Sequence, residues 1–254
     1  MILSPAPLPR FVTVAKVHHQ YAGPRPHGLE GAIVHFDAGR ARFPGKADEL
    51  EQGALATLAY GATSGFAYVT VSRGGTIYLP ANMDWQAWGS HAGASKCPAT
   101  GRSGVSRFYV GFEVNSPGWV YPTADPNLFV PWFEAVRGAN GMVRVDKAGR
   151  ATSKNQNGEL YHRDEVRIMP AAQGNIHKGA YVPFTPAQMD SLVDALLWLK
   201  RQYPQSFGLN RVFGHDEVAP TRKLDPGGSL GWNGPMTMAA FRAELLKREE
   251  DAAK

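Results

Sequence analysis

The chain has 254 residues, 43% of them hydrophobic and 19% charged, with a formal charge of +5 at pH 7. That length supports one substantial core, and the balance excludes a disordered chain. The single cysteine, Cys97, excludes an intramolecular disulfide and an all-cysteine zinc site, and reads as a small buried hydrophobe. The positive charge suits an anionic partner such as nucleic acid, a membrane surface or bacterial wall. No Lys/Arg run of five or more signals a nucleic-acid arm, so none is expected to bind. The opening "MILSPAPLPRF" lacks a basic region followed by an apolar stretch and does not read as a secretory signal. No apolar run approaches the roughly 20 residues of a membrane span.

In chain order, the first thirty residues, with His18, His19 and His27, show no pattern. Residues 31–36, "GAIVHF", predict a short buried strand ending in His35. Residues 46–60 place Leu50, Ala54 and Leu58 at helical spacing. "FAYVTV", "RGG" and "TIYL" over 65–80 predict a hairpin. "RFYVGFEVN" alternates over 107–115, with Phe108, Val110, Phe112 and Val114 on one side and Glu113 on the other. Residues 117–183 carry repeated prolines and the polar run "KAGRATSKNQNGELYHRDE". They predict an inserted, surface-lying excursion with some local structure, with His162 and His177 inside it. Thr185, Pro186 and Gln188 form a capping box with proline at the first helical position. Met189, Leu192, Val193, Leu196 and Leu199 are the buried stripe of that helix. A last helix is expected over 238–248, followed by a solvated tail. Strands interleaved with long helices predict one α/β domain with a mixed central β-sheet flanked by helices, its core over about 31–116 and 184–248.

The stretch "GHDEVAPTRKLDPG", 214–227, is too rich in Pro and Gly for a helix or central strand. His215 and Asp225 lie ten residues apart on this proline-bent loop, close enough to converge if it doubles back. His35, held rigidly at a strand end, is the candidate third ligand. His, His and Asp plus water make a hydrolytic zinc site. Each residue also has an ordinary structural alternative: a core histidine, or an aspartate serving a turn. Lys223, two positions before Asp225, points the same way if the loop is extended, and can steady an oxyanion. A solvated surface lysine is its alternative. Asp216 and Glu217 are expected on the outer side of the loop. Trp85, Trp88, Trp119 and Trp132 suit either packing or stacking on sugar rings.

This loop resembles the zinc-loop signature of the type 2 N-acetylmuramoyl-L-alanine amidases, a family that includes phage-lysozyme-type amidases and peptidoglycan recognition proteins. The match runs through Gly214, His215, Val218, Ala219, Pro220, Arg222, Lys223, Asp225, Pro226 and Gly227. "AIVHF", "RGGTIYLPANMDWQAWGSHAGAS", "YVGFEVNSPG" and "FTPAQMDSLVDALLWLKRQYP" resemble further family stretches in the same order. The resemblance covers about 31–116 and 184–232. It implies a peptidoglycan-recognition-protein-like fold and one zinc ion per chain on His35, His215 and Asp225. It implies that Glu113 activates or orients the attacking water and that Lys223 polarises the scissile carbonyl. His91 is implied to line the substrate groove, and Trp88 and Asn115 are placed there with it. Ser90 stands where the family usually has tryptophan. Ala67, followed by Tyr68, stands where some branches have a tyrosine near the metal, which favours the Glu113 branch.

The implied activity is hydrolysis of the amide between N-acetylmuramic acid and L-alanine in peptidoglycan or muropeptides. Two alternatives are a non-catalytic peptidoglycan-binding protein of the same fold and a zinc hydrolase for a different amide. The setting is open between a phage endolysin, a cytoplasmic recycling enzyme and an effector delivered by a secretion machine. The basic charge suits an anionic wall.

Overall fold

This computed structural model describes residues 9–155 and 157–252. The opening stretch taken as lacking a signal falls largely on residues 1–8, outside the described residues, as do the last two of the expected tail. In chain order come β1 (Phe11–Val14), β2 (Gly23–Pro24), β3 (Gly31–Phe36), α1 (Glu49–Ser64), β4 (Val69–Val71), β5 (Ile77–Pro80), β6 (Ala87–Trp88) and β7 (Tyr109–Val114). Then follow β8 (Trp119–Pro122), β9 (Leu128–Pro131), β10 (Tyr161–His162), β11 (Arg167–Met169) and β12 (Gly179–Tyr181). The chain closes with α2 (Pro186–Gln202), β13 (Val212–Gly214), α3 (His215–Val218) and α4 (Met238–Ala252).

The main sheet has the order β1-β5-β4-β7-β3-β13. Strands β4, β7, β3 and β13 are mutually parallel, whereas β5 runs antiparallel to β4, so the sheet is mixed. The expected hairpin is β4–β5. One face of the sheet presents Ala32, Val34, Val69, Val71, Val110, Phe112 and Val114 to Met189, Leu192, Val193, Leu196 and Leu199 of α2 and to Phe241 and Leu245 of α4. Burying these side chains is the main stabilising contribution, roughly 1.5–3 kcal/mol each. The α2 capping box forms as expected, with Thr185 Oγ1 accepting from Gln188 N at 3.1 Å. The other face carries Ile33, His35, Tyr109 and Glu113, with α1 packed across β4, β5 and β7. In α1, Ala54 and Leu58 are buried, but Leu50 is 50% exposed and leaves the expected stripe.

Two segments carry more structure than their sequence signalled. Residues 9–30 do have structure: β1 extends the sheet edge parallel to β5, because Phe11 docks on Trp198 and Trp85 with ring centroids 5.1 and 6.0 Å apart. The excursion has more than the local structure expected of it. It carries a second, antiparallel sheet of order β10-β9-β8-β12-β11 with its own small cores, one formed by Val120, Phe129, Tyr161, Ala180 and Val182. Arg167 on β11 ties this sheet to the body, donating to the carbonyls of Gly228, Ser229, Leu230, Gly231 and Trp232 at 2.8–3.4 Å. No helix among the described residues is long and apolar enough to cross a membrane.

Candidate metal centre

Parallel pairing builds the site. Register places His35 beside Glu113 on neighbouring strands, pointing to the same face. Strand β13 runs parallel to β3 with Gly214 opposite Val34, so the next residue, His215, arrives beside His35. The two imidazoles meet edge to face, with centroids 4.4 Å apart. The loop after His215 doubles back, closed by Asp216 N donating to the Asp225 carbonyl at 2.8 Å. Asp225 thereby reaches both histidines. Its Oδ2 lies 2.9 Å from His35 Nδ1 and 3.0 Å from His215 Nδ1. All three residues are buried, and their ligand atoms lie within 4.8 Å of one another.

The hydrogen bonds around these residues fix what they offer. His215 Nε2 lies 3.1 Å from the Ala92 carbonyl, which can only accept, so Nε2 carries the proton and Nδ1 a lone pair. His91 Nε2 likewise donates to the Tyr109 carbonyl at 2.9 Å, leaving His91 Nδ1 to accept from His35 Nε2 at 3.4 Å. His35 Nδ1 therefore also presents a lone pair. Burial, and then the closeness of His215, push the His35 imidazole down to about 4, so at neutral pH it carries a single proton, the one on Nε2. Two imidazole lone pairs and a carboxylate oxygen turned on one another at about 3 Å repel unless a cation lies among them. Three such N and O donors match a catalytic zinc site.

Beside this centre lies a cavity of about 550 Å³ lined by His91, Glu113, Lys223, Asp37, Tyr68 and Trp132, among others. Glu113 Oε1 is 3.9 Å from His35 Nδ1. Burial, then the charges of Asp225 and Asp37, push the Glu113 carboxyl well above its ordinary value, against the pull of Lys223. Trp132 comes from the turn just after β9 of the inserted segment and donates from Nε1 to the Ala38 carbonyl at 2.8 Å. The Tyr68 hydroxyl turns away, donating to the Thr57 carbonyl at 2.9 Å.

The structure brings His35, His215, Asp225, Glu113, Lys223 and His91 to one place, and His91 also holds a histidine of the centre. Trp88 and Asn115 are not among the lining residues. Trp88 pairs with Gly23 between β6 and β2 and sits under Arg107 at 5.2 Å. Asn115 is buried and donates to Asp37 Oδ2 at 2.9 Å and to the Arg40 carbonyl at 3.1 Å, so it braces the 37–40 loop. Asp216 and Glu217 are not outer-side bystanders. Asp216 is 2% exposed and accepts from Asn175 and from Gly227 N. Glu217 pairs with Arg242 at 2.7 and 3.0 Å. Sequence reasoning missed Asp37, which lines the cavity and takes bonds from Thr57, Asn115, Gly39 and Ser116 at 2.6–3.0 Å. Its one signal was its place just after the His35 strand in an Asp-x-Gly turn.

A family model described as N-acetylmuramoyl-L-alanine amidase matches residues 25–228. The chain belongs to this family, and its enzyme class is N-acetylmuramoyl-L-alanine amidase. The matched span extends across the inserted sheet. Among curated proteins, no relative matches. Similar solved structures include a selenomethionine derivative of AmpD, 20% identical, covering 96% of this chain and 98% of that one, with a TM-score of 0.47. Another is AmiD from E. coli in complex with anhydro-N-acetylmuramic acid-L-Ala-D-gamma-Glu-L-Lys, 16% identical with a TM-score of 0.48. It covers 91% of this chain, which spans 61% of the AmiD chain. A third is the endolysin amidase LysCS from Clostridium intestinale, 15% identical, covering 94% of this chain and 97% of that one, with a TM-score of 0.42.

Proposed function

We propose that this chain hydrolyses the amide between N-acetylmuramic acid and L-alanine in peptidoglycan or its fragments, with one zinc ion held by His35, His215 and Asp225. The observation that carries this reading is the convergence of three lone pairs on one point beside a cavity that also holds Glu113 and Lys223. Zinc held there supplies Lewis acidity, polarising a carbonyl and lowering the pKa of a water.

The remaining roles belong to the chain. Glu113 sits beside His35, and its carboxyl is raised by burial and by Asp225. A carboxyl so raised takes the proton of the attacking water and returns it to the leaving amine. Lys223 lines the same cavity and offsets the negative charge that develops on the carbonyl oxygen. His91 orients His35, and Trp132 and the 37–40 loop line the cavity.

The test is zinc content together with digestion of purified sacculi and of a soluble muropeptide, with new amine ends identified by mass. Stoichiometric zinc with no new L-alanine amine end in either substrate sinks the amidase reading. Glu113→Gln is expected to keep zinc and lower kcat by roughly 10²–10⁴-fold. Full activity in that variant removes the role given to Glu113.

A further inference from the structure

We propose that Arg73 anchors a carboxylate-binding subsite for the peptide side of the substrate, in a second cavity walled by the inserted sheet. The subsite presupposes an amidase at the metal centre. The cavity, about 760 Å³, lies between the 40–44 loop, the turn of the β4–β5 hairpin and residues 157–165. It adjoins the catalytic cavity, since Arg40 and Phe43 line both.

Three guanidiniums, of Arg40, Arg42 and Arg73, and three carboxylates, of Glu49, Glu159 and Glu165, line it. Most are already engaged. Arg40 pairs with Glu134 and Glu159, and Arg42 pairs with Glu165 while donating to the Leu160 carbonyl at 2.7 Å. Glu159 also accepts from Ala41 N and the Tyr161 hydroxyl, and Glu165 accepts from His162 N. Glu49 is exposed at the start of α1.

Arg73 is the cation left over. Among the described residues its guanidinium makes one long bond, 3.4 Å to the Pro183 carbonyl, and no ion pair. A guanidinium has five N–H donors, and leaving them unmatched in a partly desolvated place is costly. The backbone of Arg73 is fixed on both sides. Its N donates to the Leu50 carbonyl at 3.0 Å, and its carbonyl accepts from Thr185 Oγ1 at 2.8 Å. A planar fork on a residue that lines a cavity, with most of its donors unmatched, suits bidentate capture of a carboxylate. A substrate cut at the metal centre, with its peptide leading into this cavity, delivers such a group beyond the L-alanine.

The test uses two soluble muropeptides that are identical except that one carries a free carboxylate beyond the L-alanine and the other a carboxamide. Wild-type protein is expected to prefer the carboxylate by roughly tenfold or more in kcat/KM, mainly through KM. Arg73→Gln is expected to abolish the preference while keeping kcat and melting temperature, and Arg73→Lys to keep part of it. Equal kcat/KM for both muropeptides in the wild type overturns the subsite, as does an Arg73→Gln variant that lowers both alike. If neither muropeptide is cut, the amidase reading fails, and calorimetric binding of the same pair to wild type and Arg73→Gln decides the subsite: loss of a wild-type preference supports it, and no preference overturns it.

Discussion

His91 lies at the head of a short relay: Tyr109 carbonyl, His91, His35 and then the centre. Gly111 makes the relay possible, because a Cβ there would come within 2.8 Å of the His91 ring. Removing such an outer partner typically costs 10–100-fold in metal affinity. His91→Ala is therefore expected to weaken zinc binding by that order while leaving the fold intact. Competition with a chelator measures it, and unchanged affinity reduces His91 to a wall of the cavity. His35, His215 and Asp225 were only candidates by spacing, each with an ordinary structural alternative, and strand alternation gave Glu113 no more than its face. Their roles as a set came from the resemblance of the loop and strands to the amidase family. The role of His91 was not legible, since its partners come from elements far away in the chain. His19, which reads as patternless, is another case. Its Nε2 lies 3.2 Å from the Leu58 carbonyl and its Nδ1 accepts from Tyr68 N at 3.3 Å, so both nitrogens are satisfied only when the ring is neutral. Burial lowers its pKa, partly opposed by the Leu58 bond. The folded state then binds fewer protons than the unfolded one just below pH 6.5, and stability falls as pH drops through that window. His19→Gln is expected to flatten that part of the stability–pH curve. Denaturant midpoints of both proteins between pH 7.5 and 5.5 test this, and parallel curves would exclude the contribution.

At the level of elements, α2 and the β4–β5 hairpin were readable because a capping box and a two-strand alternation are local signals. The inserted sheet was not, because its strands are only two to four residues long and prolines interrupt any period. What holds it is a non-local device, Arg167, whose donors meet five consecutive carbonyls of the 228–232 loop. That loop follows directly on Gly227, which ends the metal loop. Hydrogen bonds to a charged group contribute roughly 1.5–3 kcal/mol each, although five on one group do not add. Arg167→Leu is expected to cost about 2–4 kcal/mol. It is also expected to raise amide exchange in 167–181 and 228–232 together. Exchange rising in only one of the two segments would show that Arg167 does not couple them.

For the whole molecule, the site sits where the sheet topology puts ligands, at the carboxyl ends of parallel strands. His35 lies near the end of β3, Glu113 near the end of β7, and His215 directly follows β13. These residues are separated by up to 180 positions in the chain and meet only when the central strands are paired in register. The unfolded chain has no such cluster, so zinc held as proposed would bind the folded state and stabilise it by mass action. Free zinc at 1,000 times its Kd contributes about 4 kcal/mol. At 2–4 °C per kcal/mol for a chain of this size, Tm is expected to rise by roughly 8–16 °C over the metal-free protein. Magnesium, which prefers oxygen ligands in octahedral geometry, is expected to shift it little. In His35→Ala the zinc-dependent increment should collapse whatever the variant's own baseline, because two donors remain of three. Calorimetric scans with and without zinc, in wild type and variant, give the comparison. An equal zinc increment in both would mean that the ion binds elsewhere and that the converging lone pairs do not form the metal centre.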